Sequence, residues 1–247
     1  MKNQQLGKRA GHILLWLRWA DTDYRAARVL IRAGALVQGA AVSDTAIEKY
    51  LKALYVEQGL AIPQNHEVAK LYAYIKWKTA SDLDVNQSYL RLLEKAYKLR
   101  YPDDVGEGFN IALNQARLLA ELDRTVRKMT ERIRATEYAT GKSIPMVLER
   151  AAQDNDQGII LDNVAMDSGI VDGLFSNASP SYDLRKFKGD VFETDYVTKS
   201  VKDDANHERE GFVIKADFQF EAAYLPMLDS PNTATRNGVP LKRVPQD

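Results

Sequence analysis

Glu48, Lys49 and Lys52 place one carboxylate and two ammonium groups within a nine-residue run, Ala46-Ile47-Glu48-Lys49-Tyr50-Leu51-Lys52-Ala53-Leu54. Four residues separate Glu48 from Lys52, so on a helix they share a face and can pair, while Lys49 falls on a neighbouring row. The residue types leave two readings open. One is a polar cleft in which Lys49 or Lys52 meets a phosphate. The other is a surface ion pair contributing roughly a few tenths of a kcal/mol. His66 follows Pro63 by three residues. It can cap a helix, hydrogen-bond to a neighbouring helix, or move a proton near neutral pH. Arg100 stands before Tyr101-Pro102-Asp103-Asp104. Its planar guanidinium can hold a phosphate in bidentate fashion, or turn to the adjacent carboxylates or to the end carbonyls of a helix. Tyr97 and Tyr101 flank it at a spacing of four, which suits core packing and also suits stacking against a base.

Other chemistry is excluded or weakly supported. The chain has no cysteine, which removes disulfides, thiolate metal sites and cysteine nucleophiles. No Walker-type loop and no G-x-G-x-x-G run occurs, nor the G-S-x(n)-D-x-D pattern of a nucleotidyltransferase. Asp203 and Asp204 with His207 and Glu208 carry metal-ligating groups, but in a polar loop such a cluster is ordinarily solvated. No metal and no cofactor is expected. The apolar stretch Ile13 to Trp19 is interrupted by Arg18 and followed by Asp21 and Asp23, unlike a secretory signal or a membrane span. A cytoplasmic protein without membrane association is the expectation.

The net charge is zero but divided: residues 1–140 hold 22 Lys+Arg against 16 Asp+Glu, and residues 141–247 hold 12 against 18. A basic half can attract phosphate and an acidic half can lie over it and compete, or two solvated surfaces simply differ.

The elements that must position these residues read as helices. Apolar periodicity predicts a first helix from about Gly11 to Ala33, ended by Gly34, and a second from about Leu36 to Gln58, ended by Gly59. A third is predicted over about His66 to Trp77 and a fourth over about Leu83 to Leu99, where Pro102 forces a turn. A fifth, long helix is predicted from about Phe109 to Tyr138. Beyond Gly141 the chain is richer in Asp, Asn, Ser and Gly. It suggests a short helix over Ile144 to Gln153, with Ser143 as cap and Pro145 in the first turn. Two strands, Val191 to Val197 and Gly211 to Phe220, suggest a hairpin, and the proline-rich last 25 residues suggest an extended tail. The expected fold is mainly α: an antiparallel bundle of about five helices over residues 10–139, followed by an acidic, irregular extension over residues 140–247 that wraps the bundle or a partner.

Four fragments, in order and at suitable spacing, carry a resemblance across about 130 residues. Trp19 to Ala27 is similar to the first helix of the HEPN family. Ala46 to Leu54 resembles its A-x-E-K-x-L-K-A-L core. Pro63 with His66, Glu67, Val68 and Leu71 resembles its P-x-x-H-x-L-x-x-L segment, and Leu99 to Asp103 its R-Y-P-D segment. The resemblance implies a helical bundle that self-associates as a homo-oligomer. It also implies a setting in toxin–antitoxin, phage-defence or RNA-processing systems, with a nucleotidyltransferase-type partner protein. Ribonuclease members of the family carry an Arg followed by a His after four to six residues. Here the residues five to seven before His12 are Gln5, Leu6 and Gly7. Those before His66 are Gly59, Leu60 and Ala61, and those before His207 are Ser200, Val201 and Lys202; none is Arg. The expectation is a non-catalytic module that binds a nucleotide, RNA or a protein partner through Glu48, Lys49, Lys52, His66, Arg100 and Tyr101. Two alternatives are a divergent ribonuclease using His66 and Arg100, and an assembly protein whose C-terminal arm mediates oligomerisation.

Overall fold

In the computed structural model the described residues are 2–80, 82–101, 103, 105–136, 142–170, 179–187, 191–197, 235–236 and 239–240. Helix α1 spans Lys2–Arg32 and α2 spans Leu36–Glu57. Gly34 joins them at φ 83°, a conformation that a side chain disfavours. The two helices form an antiparallel pair with a close approach at Gly39, where an added Cβ would lie 2.5 Å from Ile31 Cγ1. Helix α2 is the centre of the protein. It packs on α1 and α5 and on α3 (Val68–Thr79) and α4 (Gln87–Lys98). Sixteen of its 22 residues are buried, and Ser43, Asp44, Glu48 and Lys52 are among them, inside the fold rather than on a solvated face. Tyr50, Leu51 and Ile47 are fully buried, and each such side chain stabilises the fold by about 1.5–3 kcal/mol of transfer free energy.

The helical start is earlier than the periodicity predicts, at Lys2 rather than Gly11, and α3 begins at Val68, two residues after His66. Helix α4 starts at Gln87 because Asn86 accepts hydrogen bonds from the Ser88 and Tyr89 amides, an N-cap that ends the irregular stretch from Leu83.

The long fifth helix predicted over Phe109 to Tyr138 is corrected by the structure. Its first part is a strand, β1 (Asn110–Asn114), and helix α5 runs only over Gln115–Thr130. The reason is local and non-local together. Asn114 caps α5 by accepting from the Arg117 amide. Phe109, Ile111 and Leu113 alternate inward, and β1 finds an antiparallel partner in β2 (Ser181–Lys186), with Ile111 opposite Leu184 and Leu113 opposite Tyr182. At the other end the chain leaves α5 through a turn at Glu131 and Arg132, and Thr136 bridges to Ser143.

Strand β3 (Phe192–Val197) lies where alternation predicted one, but it pairs with β2, giving a three-stranded antiparallel sheet in the order β1-β2-β3. The hairpin partner expected at Gly211 to Phe220 falls outside the described residues, as does the cluster around Asp203 and His207. The short helix α6 occupies Val147–Gln153, three residues later than predicted; its N-cap is Met146, whose amide donates to Glu149, and not Ser143. A further short helix, α7 (Gln157–Ile160), follows, and β4 (Thr235–Arg236) pairs with β5 (Val239–Pro240).

The segment from α6 to residue 165 is fastened to the bundle by arginines. Arg150 pairs with Asp21, and Arg25 with Asp156. Arg28, fully buried, pairs with Asp123 of α5 and donates to the carbonyls of Gly158 and Leu161. Tyr24 donates to the same carboxylate at 2.8 Å and accepts from Asn163 at 2.9 Å. Arg127 donates to the Ala165 carbonyl at 2.9 Å. Among the described residues no helix is long and apolar enough to cross a membrane.

Candidate functional site

Asp44, Glu48 and Lys52 stand at intervals of four on α2, one turn above another along a single face. All three are buried, with Asp44 only 2% exposed. Glu48 pairs with Lys52, and the same oxygen, Oε1, lies 2.9 Å from Nδ1 of His66. The lysine side chain is 8% exposed, and its ammonium sits 5.4 Å from the centroid of the Trp16 ring of α1. Lys52 therefore neutralises Glu48 from behind, and Glu48 holds an imidazole that is 69% exposed. A carboxylate on Nδ1 fixes the orientation of the ring and directs Nε2 to whatever approaches from solvent.

Among the described residues Asp44 has no such partner, and its buried Oδ1 makes no hydrogen bond with them. Burial, with the charges of Glu48 and Glu94 added, pushes its carboxyl up to about 8, against the pull of Arg100. Glu94 of α4 accepts a hydrogen bond from the Ala69 amide at 2.8 Å, and burial raises its carboxyl too. Near neutral pH Asp44 thus keeps its proton and offers Arg100 no full counter-charge.

Arg100 is exposed at the end of α4. Its guanidinium carbon lies 4.3 Å from the Tyr97 ring centroid and 5.4 Å from that of Tyr101, and Nη2 donates to the Tyr101 hydroxyl at 3.4 Å. Among the described residues it forms no ion pair within 4 Å. Tyr101 is 56% exposed. The alternative roles that the sequence left to this arginine, a partner for Asp103 or a cap on the α4 carbonyls, are not those it takes with the described residues.

The structure thus brings Glu48, Lys52 and His66 into direct contact, with Asp44 one turn before Glu48; among the described residues Arg100 forms no hydrogen bond or ion pair with any of the four, and its positive charge acts on Asp44. It does not bring Lys49 into this cluster. Lys49 turns to α1, where it pairs with Asp23 and lies 5.7 Å from the Trp19 ring. Sequence reasoning missed Asp44 and Glu94. The signal for Asp44 was its place one turn before Glu48, on the side of the helix that also carries Ala40, Ala41 and Ile47.

The helices that build this site also carry the family signature. A model of the HEPN domain matches residues 13–136, just over half of the chain. The chain belongs to the HEPN domain family. No curated protein and no solved structure matches it. The HEPN match covers α1 from Ile13 onward, all of α2 to α5 and every residue of the Asp44–Arg100 cluster, and membership points to an RNase or nucleotide-related role.

Proposed function

We propose that this HEPN chain binds a nucleotide, or a nucleotide unit of an RNA, at the Asp44–Arg100 cluster and does not turn it over. One observation carries the reading. An exposed guanidinium is flanked by two tyrosine rings and forms no ion pair among the described residues, and the buried acid on which its charge acts keeps its proton. A guanidinium in that setting offers its fork to phosphate, and the exposed Tyr101 ring offers a face to a base. Nδ1 of His66 is engaged by Glu48, which leaves Nε2 as the ring nitrogen that meets a ligand, an acceptor in the neutral imidazole and a donor to phosphate in the imidazolium. Lys52, buried behind Glu48, keeps that carboxylate from repelling the phosphate.

Calorimetric titration of the full chain with ADP tests the proposal. Arg100→Ala removes a charge-assisted contact and lowers affinity by roughly tenfold or more. Affinity that survives Arg100→Ala unchanged, or that is absent in the parent protein, refutes it.

The 2.9 Å contact between His66 Nδ1 and Glu48 favours a second reading, a divergent ribonuclease. An imidazole oriented by a carboxylate is equipped to take the 2′-hydroxyl proton, and Arg100 to stabilise charge on the attacked phosphate. On that reading the protein cleaves an RNA strand but not the DNA strand of the same sequence, and His66→Ala abolishes cleavage. Intact RNA after prolonged incubation leaves the binding role alone.

A further inference from the structure

Helix α3 has a second face that the Asp44–Arg100 cluster does not use. Lys70, Tyr74, Trp77 and Lys78 fall at positions i, i+4, i+7 and i+8, one stripe of a helix, and all four are exposed. Trp77 is 71% exposed. The helix contains no acidic residue. Its two exposed aromatic rings, Tyr74 and Trp77, form a chain of contacts with the core. Tyr74 lies parallel to Tyr55 of α2 at 5.7 Å, and Tyr55 is itself buried and donates to the Leu71 carbonyl at 3.1 Å. Trp77 meets Tyr74 edge-on at 5.7 Å. The ammonium of Lys78 lies 4.1 Å from the Trp77 centroid and 5.6 Å from that of Tyr74, and among the described residues it forms no ion pair. Lys70 and Lys76 are each tied to a carboxylate, Glu67 and Asp82.

The occupant this face suits is set by its chemistry. A protein partner buries aliphatic and aromatic side chains and finds charge depleted at the centre of the contact. Here a large exposed indole is interleaved with ammonium groups, with only Ala73 as a further apolar group between them. Aromatic faces beside positive charge, held in place by the core, are what a flexible polyanion with unpaired bases requires. We propose that the outer face of α3 is a platform for a single-stranded polynucleotide, with bases stacked on Trp77 and Tyr74 and phosphate met by Lys78. Tyr74 stands about 9 Å and Trp77 about 14 Å along the helix from Val68, two residues after His66. A strand lying along α3 from Trp77 to Tyr74 therefore leads toward His66. The inference takes from the preceding section only that the ligand is a nucleic acid.

The test is fluorescence anisotropy of the full chain with labelled oligouridylate and oligothymidylate of about eight nucleotides, and with a duplex of the same length, alongside the ADP titration. Trp77→Ala weakens binding of both single strands by roughly 5- to 150-fold, the effect of one lost stacking contact. Trp77→Phe retains most of the affinity, and Trp77→Ala leaves ADP affinity and duplex affinity unchanged. Lys78→Ala lowers the slope of log affinity against log salt by about 0.7. Arg100→Ala weakens ADP; if ADP never binds while Trp77→Ala still weakens the oligonucleotides, the platform stands and the reading of the Arg100 site falls. The inference is overturned if neither single strand binds. It is equally overturned if Trp77→Ala binds them as the parent does, or if the variant loses single-strand and duplex affinity in equal measure.

Discussion

Asp44→Asn tests the energetics of the site most directly. In the folded protein the Asp44 carboxyl is pushed from 3.8 up to about 8, chiefly by burial and then by Glu48 and Glu94. The group is 2% exposed, so solvent screens the effect little. Because the folded value lies above the unfolded one, the folded chain holds this proton where the unfolded chain has released it. Stability is therefore fully present below about pH 4 and declines as pH rises toward 8. One unit corresponds to about 1.4 kcal/mol. Ionising Asp44 thus costs the fold on the order of 4 kcal/mol by pH 7, and on the order of 5–6 kcal/mol above pH 8. Asparagine has the shape of the protonated acid and cannot ionise. Guanidinium unfolding of both proteins from pH 5 to pH 9 at constant ionic strength reads the difference, in which the other titrating groups largely cancel. The variant gains on the parent by up to about 1.4 kcal/mol per pH unit until pH 8 and then runs parallel to it. Parallel profiles throughout, or a parent that gains on the variant as pH rises, would show that a cation compensates Asp44 and would refute the argument.

The same substitution bears on binding: ADP affinity of the parent falls above pH 8, as a carboxylate appears beside Arg100, and that of Asp44→Asn stays level over the same range. Arg28→Met leaves Asp123 buried without its cation and lowers stability by about 3–5 kcal/mol in chemical denaturation. Gly39→Ala gains about 1 kcal/mol of helix propensity but forces a methyl to within 2.5 Å of Ile31 Cγ1. Overpacking of that kind costs about 1–3 kcal/mol, so the unfolding midpoint moves to lower denaturant. Asn114→Ala removes the cap of α5 and lowers stability by about 0.5–2 kcal/mol.

The helical bundle was legible because its signal is local. Periodic apolar residues with Gly34 and Gly59 as stops define α2 within one residue of its observed end at Glu57. Strand β1 was not legible for the opposite reason. Ile111 and Leu113 continue into Leu118 and Leu122 without a break in polarity, and the partner that makes 110–114 a strand stands about 70 residues away, at 181–186. Nothing within a helical turn of Asn110 announces Arg185 opposite it. The site was legible in the same proportion. Glu48, Lys52 and His66 sit in motifs that a reader can recognise, and they do touch. Lys49 goes elsewhere because one residue is about 100° of helix, which points it at Asp23 of α1. Asp44 escaped notice because an aspartate on a helix ordinarily faces water. Only the packing of α4 against α2 encloses it.

The pairing of β1 with β2 bears on how this protein can be handled in the laboratory. The matched region ends at residue 136, yet the hydrogen-bonding edge of β1 is completed by residues 181–186. A gene cut at the apparent boundary would therefore yield a bundle displaying bare amides along an apolar strand, the template on which chains polymerise. Insolubility of such a fragment would report a missing zipper rather than an unstable set of helices.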